Sequence, residues 1–464
     1  MYHIEQNTKI ALRIQLFEAI KQDIIDNYKI DERLPSIRKM MTMYNLSKNT
    51  VESAYSQLVA EGYIDSIPKS GYIVIENNFT NFNNTYIEIQ KNKKTEDFLY
   101  DFFPARLQKE NFPIKIWKRL SSKVTNSSLD LGEYPNKQGE VDLRIQIAKY
   151  LNTSRAVKCS ANQIIIGNGF ISSISLLALI LNKEHDTLAI EEPGYHVARK
   201  VYENHKYKIE KIAVNNTGID IKKLEESKAK LVYITPSHQY PTGVAIPISN
   251  RLKLLDWANK KDGIIIEDDY ASELNYVNRP IPSLQGLDTN NRVVYVGTFS
   301  KALSPALRVS YMVLPTNILK IYQEMYSYYD SGVSLLTQKT LHSFMKEGYW
   351  DKHLRKILTL NKKKHNLLKS LLESKLNNSM NIVSQGGGLA ILIQPKTDFD
   401  YEKLETLAIK EKIKVYFAKP RCGGKYQAVM MGFGGIKEEE LEDAINIFSK
   451  IWFKCLKEKK EKLS

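Results

Sequence analysis

The chain has 464 residues, 43% of them hydrophobic and 26% charged, with a formal net charge of +15. These proportions suggest a soluble globular protein of roughly two to four domains, with a core that stands without disulfide staples. No apolar run approaches a membrane span, and the opening MYHIEQNTKI lacks the basic-then-apolar pattern of a secretion signal. Cys159, Cys422 and Cys455 are odd in number, far apart and in no metal spacing, so reduced thiols in a cytoplasm are expected and no metal site.

The positive charge does not by itself locate a nucleic-acid surface. The first 75 residues hold nine Lys/Arg and nine Asp/Glu, so the excess lies in residues 76–464. Phe17, Ile20 and Ile24 recur at helical spacing and predict a first helix within residues 11–26. Ser36 is placed to cap a second helix, with Ile37, Met40, Met41 and Tyr44 on one face. Asn45 suits the left-handed backbone of a tight turn. Ser47 is then placed to cap a third helix with an inner stripe of Val51, Ala54, Tyr55 and Leu58, and Lys48, Asn49 and Thr50 project from its first turn. Tyr63-Ile64 and the run 72–75 flank Pro68-Lys69-Ser70-Gly71, which predicts a β-hairpin wing. This is the order of a winged helix-turn-helix, although an ordinary three-helix scaffold has the same spacing.

The words LPSIRKM, LSKNTVESAYSQLVAEGYI and SGYIVI resemble the winged-helix signature of the GntR regulators over nearly all of this segment. The resemblance implies an α+β DNA-binding domain over residues 1–76. By it, Arg38, Ser47, Lys48, Asn49, Thr50 and Gly71 fall on DNA-contact positions, with Lys69 beside Gly71 in the wing. Asn27-Tyr28-Lys29 stand where that family often has glycine. Residues 77–96, rich in Asn and Lys with little apolar periodicity, read as a flexible linker, the alternative being one strand over residues 85–89.

From residue 97 onward, short β-branched runs alternate with helical stretches: 163–166, 187–190, 231–234, 263–266 and 293–296. Runs apolar on both faces predict a mostly parallel, buried sheet, whose ligands gather at the strands' C-terminal ends. After the first run, Gly167-Asn168-Gly169-Phe170 opens a helix whose free N–H groups suit a phosphate. After the second, Tyr195 offers a face to stack on a planar ring, or simply to pack. The fourth leads into Glu267-Asp268-Asp269-Tyr270, where a period of two places Asp268 and Tyr270 on one side. A carboxylate there can keep a pyridine nitrogen protonated while a phenol binds the ring oxygen. Asp269 is the alternative, because the register of the strand end is open.

The stretch GTFSKALSPALRVSY sets Lys301 between apolar runs, where a charge is costly unless removed or paired. A desolvated amine beside hydroxyls and Arg308 suits an imine with an aldehyde cofactor, although a surface turn with one Lys and one Arg has the same spacing. TPSHQYPTG, IIEDDYASE and GTFSKALSPALR resemble the MocR-type members of the GntR family, and the resemblance to a fold type I aminotransferase domain spans residues 97–455. It implies a multi-domain protein in which residues 97–464 form an α/β, pyridoxal 5'-phosphate (PLP)-dependent transferase-like domain. By it, Lys301 holds PLP as a Schiff base, Asp268 pairs with the pyridine nitrogen, and Tyr270 meets the ring oxygen. Tyr195 stacks on the ring, and Gly169, Phe170, Thr298 and Arg308 hold the phosphate. Tyr240 stands where transaminases carry asparagine, in keeping with the regulator version.

One departure bears on the effector. Amino-acid-responsive members tend to carry arginines where this chain has Val197 and Gly435, leaving Arg199 and Arg421 as the remaining candidates to bind a carboxylate. The expectation is a cytoplasmic, homodimeric regulator that binds operator half-sites in double-stranded DNA, without physiological turnover. Its effector domain would sense PLP or an amine or amino acid, the absent arginines favouring PLP itself. A working aminotransferase with a DNA-binding appendage and a cofactor-free dimerisation scaffold are the rival readings.

Overall fold

Residues 2–5, 8, 10–68, 70–75, 97–127, 129–276, 282–384, 386–418 and 427–457 are described by a computed structural model. The expected linker, Lys69 and Arg421 lie outside them. The chain divides into two compact units, residues 1–96 and 97–464.

In the first unit, α1 (Leu12–Asn27) buries Leu16, Phe17, Ile20 and Ile24. Ser36 caps α2 (Ile37–Tyr44) by accepting from the Lys39 N–H at 3.2 Å, and Asn45 ends it in the left-handed conformation at φ 50°. Ser47 caps α3 (Lys48–Ala60) in the same way through Thr50 N–H at 3.2 Å, and the helix buries Val51, Ala54, Tyr55 and Leu58. Both caps and that stripe follow the sequence reading. Of the expected α2 face only Met40 is fully buried, since the short helix lies at the edge of the core. The wing pairs β1 (Ile64–Ile67) with β2 (Gly71–Val74) antiparallel, Ile64 opposite Val74. Tyr55 ties α3 to its surroundings: its hydroxyl donates to the Pro35 carbonyl at 2.6 Å, and its ring meets Tyr72 of the wing edge-on at 4.8 Å.

The second unit is built on an eight-stranded sheet. Five strands run parallel, in the order Val293–Thr298, Ile264–Asp268, Leu231–Ile234, Thr187–Glu192 and Lys208–Asn215. Ser310–Val313 pairs antiparallel with both Val293–Thr298 and the edge strand Ile164–Gly167, and Gly218–Ile219 closes the other edge. Leu231–Ile234 and Ile264–Asp268 are buried at every position, which is why their sequences show no alternation. A second sheet, in the order Met380–Ser384, Ala390–Pro395, Ala428–Gly432 and Tyr416–Ala418, packs with the helices Tyr349–Leu376 and Leu441–Lys454. Among the described residues no helix is long and apolar enough to cross a membrane.

Candidate functional site

Strand ends of the large sheet gather around Lys301. The strand Val293–Thr298 delivers it three residues past its end, into a cavity of about 290 Å³. Tyr195, Val197, His238, Tyr240, Tyr270 and Leu389 line the same cavity. Lys301 is half-buried, and its amine makes no hydrogen bond among the described residues. It lies 6.0 Å from the centre of the Tyr270 ring. Burial lowers the Lys301 ammonium to about 8, with the nearby Asp268 charge opposing that shift.

The strand Ile264–Asp268 stops at Asp268, so strand alternation does not extend through Tyr270. Geometry nevertheless separates the two aspartates. Asp268 accepts a hydrogen bond from the Tyr233 hydroxyl and is within electrostatic reach of Lys301. Burial pushes its carboxyl up to about 7, against the Tyr233 bond and the Lys301 charge. Asp269 turns elsewhere: its Oδ2 accepts from Arg155 Nε at 2.7 Å and from the Tyr295 hydroxyl at 2.6 Å. Asp269 is therefore committed to a buried ion pair, and Asp268 is the acid on the side of Lys301.

Aromatic rings close one side of the cavity. Tyr195 meets Phe170 at 5.5 Å and Tyr240 edge-on at 5.3 Å, and Tyr240 continues to Tyr270 at 6.4 Å. His238 lies 6.3 Å from the Tyr270 ring. Burial, reinforced by His365 and the Lys301 charge, lowers it to about 4, so it is neutral near pH 7.

An anion cup lies at the start of the helix Phe170–Leu181. Gly169 precedes it at φ 81°, and a Cβ there would fall 2.1 Å from Arg308 Nη2. Only glycine lets that guanidinium approach the helix N-terminus so closely. Arg308, itself at φ 52°, makes no hydrogen bond or ion pair among the described residues. Thr298 Oγ1 accepts from the Ser300 N–H at 3.1 Å and donates to the Ser300 hydroxyl at 2.9 Å, ordering the turn that precedes Lys301. A free guanidinium, helix N–H groups, an unbonded amine and a buried acid make a donor set that fits PLP.

The two places lacking arginine differ. Val197 lines the Lys301 cavity and offers it no charge. Over Gly435 the side chain of Arg106 takes the space, its Cγ 2.8 Å from where a Cβ would lie, with its guanidinium paired to Asp101 at 2.5 Å. Arg199 is buried, with Glu203 and Glu192 at 3.4 and 3.9 Å. Sequence reasoning gave no role to Tyr233, His238 or Arg155. Of these only Arg155 carried a signal, as a charge at the end of an otherwise apolar-striped helix.

In the first unit, Arg38, Ser47, Lys48 and Asn49 are exposed and Thr50 half-buried, all at the starts of α2 and α3. Lys48 pairs loosely with Glu52 at 3.4 Å. Gly71 stands in the wing at φ 99° with open space around it.

Residues 105–445 match the model of aminotransferase classes I and II, and residues 12–74 that of the gntR family of bacterial regulatory proteins. The chain is 36% identical to the HTH-type transcriptional regulator YdeL of Bacillus subtilis, over 97% of this chain and 98% of that one. It is 29% identical to the probable rhizopine catabolism regulatory protein MocR of Rhizobium meliloti, over 96% and 94%. The pyridoxine biosynthesis regulator PdxR of Corynebacterium glutamicum is 25% identical over 89% and 91%. Among solved structures, kynurenine aminotransferase of Pyrococcus horikoshii superposes with a TM-score of 0.70 at 23% identity, over 78% of this chain and 92% of that one, a likeness of fold.

Proposed function

Because this chain belongs to the MocR-type group of the GntR family, with a winged helix-turn-helix joined to a class I and II aminotransferase domain, we propose that it is a transcriptional regulator governed by PLP at Lys301. The observation that carries the reading is the set of unspent groups. Among the described residues, Lys301 and Tyr270 line one cavity without a hydrogen bond, and Arg308 lies over Gly169 with no hydrogen bond or ion pair. Lys301 and Tyr270 are half-buried and Arg308 is exposed, so all three stay open to a ligand, and a single phosphorylated, hydroxylated aldehyde would bond them together.

When bound, PLP supplies an aldehyde that condenses with primary amines. Lys301 would hold it, being lowered by burial far enough to be partly neutral near pH 7. Asp268 would keep the pyridine nitrogen protonated, and gains from a positive neighbour because burial otherwise disfavours its charge. Tyr270 would bind the ring oxygen and Tyr195 cover a face. The Phe170 N–H behind Gly169, with Thr298 and Arg308, would take the phosphate, the Gly169 N–H being already given to the Gly167 carbonyl at 3.0 Å. Occupancy of this pocket, by cofactor alone or with an amine or amino acid, is the variable that biases how a homodimer presents two heads to two half-sites.

Two expected outcomes test the parts. The neutral amine is the reactive form, and a lowered base is neutral above its own value. Capture of PLP by cofactor-free protein should therefore quicken as pH rises toward and through about 8 and then level, instead of climbing to the 10.5 of an ordinary lysine. Stopped-flow absorbance across that range checks this. At the other site, Lys48→Ala in the full chain should weaken operator binding and flatten the salt dependence by about one phosphate contact, read by fluorescence anisotropy. An unchanged slope and affinity would remove Lys48 from the interface.

A further inference from the structure

We infer that a second cavity, beside the one holding Lys301, is a carboxylate subsite with Arg199 as its anchor and Lys414 as its second cation, built for a zwitterionic ligand. The cavity has a volume of about 400 Å³ and shares Tyr195, His196, Tyr240 and Pro241 with the Lys301 cavity. Its other walls come from the end of the strand Thr187–Glu192, from Arg199, and from Glu405 and residues 414–418. The inference deepens the proposal above and rests on it only for where the ligand's amine points. The anion site itself needs no cofactor.

Arg199 is 5% exposed, yet its guanidinium makes no hydrogen bond among the described residues. Its Nε is sealed from solvent without an acceptor. Glu203 stands 3.4 Å from Nε and Glu192 3.9 Å from Nη1, close enough to balance the charge but not to bond it. A planar fork of donors in a cavity wall, compensated but unbonded, is the geometry that a carboxylate completes by bidentate contact. Glu192 and Glu203 keep 25% and 33% of their side-chain surface, so water can take them over when a ligand claims the arginine.

The acids around the cavity define the other end of the ligand. Glu192 and Glu405 line it, with Glu191, which burial pushes up to about 7. Against Arg199 and Lys414, these acids disfavour a dianion and favour a ligand that brings its own positive charge. Val197 gives the Lys301 cavity no guanidinium for a bidentate contact, so a carboxylate is drawn to Arg199 in the adjoining cavity while an amine stays on the side of Lys301.

Isothermal titration calorimetry tests this with a length series of amino acids, from glycine to 6-aminohexanoate, each against its own amide. The titrations run on full-length protein with and without PLP. The best-binding acid should exceed its amide by about ten- to hundredfold, as a charge-assisted bidentate contact implies. Arg199→Gln should bring that ratio close to one. Should that variant fail to fold, the exposed Lys414→Gln should lower the ratio severalfold. An acid bound no better than its amide, a ratio unchanged in the variants, or no binding by any member of the series overturns the subsite. A visible band on adding PLP reports the cofactor reading separately. Its absence would end that reading, and the acid–amide ratio of the cofactor-free protein would still decide the subsite.

Discussion

Lys301→Ala is expected to abolish the visible absorption that survives dialysis of the PLP-treated protein, while the fold persists. The amine makes no hydrogen bond among the described residues, so its removal strands no partner. Asp268 loses a favourable charge, but burial already raises its carboxyl to about 7 and it can take up a proton instead. Tyr195 and the cup at Gly169 and Arg308 remain, so PLP should still associate reversibly and wash away. Absorbance after dialysis, with borohydride reduction and mass analysis, checks this. A variant retaining a reducible, covalently attached cofactor would place the bond at another lysine.

The second large effect is on stability, and falls on Arg155→Met. Arg155 and Asp269 are paired at 2.7 Å with side chains 7% and 0% exposed. Removing one partner of such a pair leaves a buried carboxylate and costs about 3–5 kcal/mol, which denaturant unfolding followed by circular dichroism would read directly. Burial alone would push Asp269 up. Arg155 and the Tyr295 bond outweigh it and hold the carboxyl below the ordinary range. A depressed acid contributes stability that is present above the ordinary carboxylate range and lost as pH falls. The native protein should therefore weaken in acid more steeply than Arg155→Met. Asp268→Asn is the contrast: it should weaken PLP binding with a much smaller loss of stability, because Asp268 makes no ion pair among the described residues and holds only the Tyr233 bond.

What the sequence disclosed was local. The stripe Val51, Ala54, Tyr55 and Leu58, the caps at Ser36 and Ser47, and the turn at Asn45 follow from helical period, side-chain acceptors and left-handed propensity within a few residues. The runs apolar on both faces announced a parallel sheet for the same reason. The choice between Asp268 and Asp269 was not legible, because it is decided by Arg155, distant in the chain, and by Tyr295 on the neighbouring strand. Tyr233 passed as one more apolar residue of its strand, its hydroxyl acquiring a purpose only when the sheet brings Asp268 alongside. That Arg199 is ion-paired yet makes no hydrogen bond among the described residues could not be read either, since it depends on how Glu192 and Glu203 stand around it.

The central claim is that the occupant of the Lys301 pocket governs DNA binding by residues 1–76. Its most direct test is operator affinity, by fluorescence anisotropy at fixed salt, for the full-length protein and for Lys301→Ala. Each is measured cofactor-free, with PLP, and with PLP plus each of a panel of amines and amino acids. The account predicts that the wild type shifts severalfold with PLP or with one of those additions, and that Lys301→Ala stays flat throughout. Wild-type affinity that ignores every addition, or an equal shift in Lys301→Ala, would contradict it.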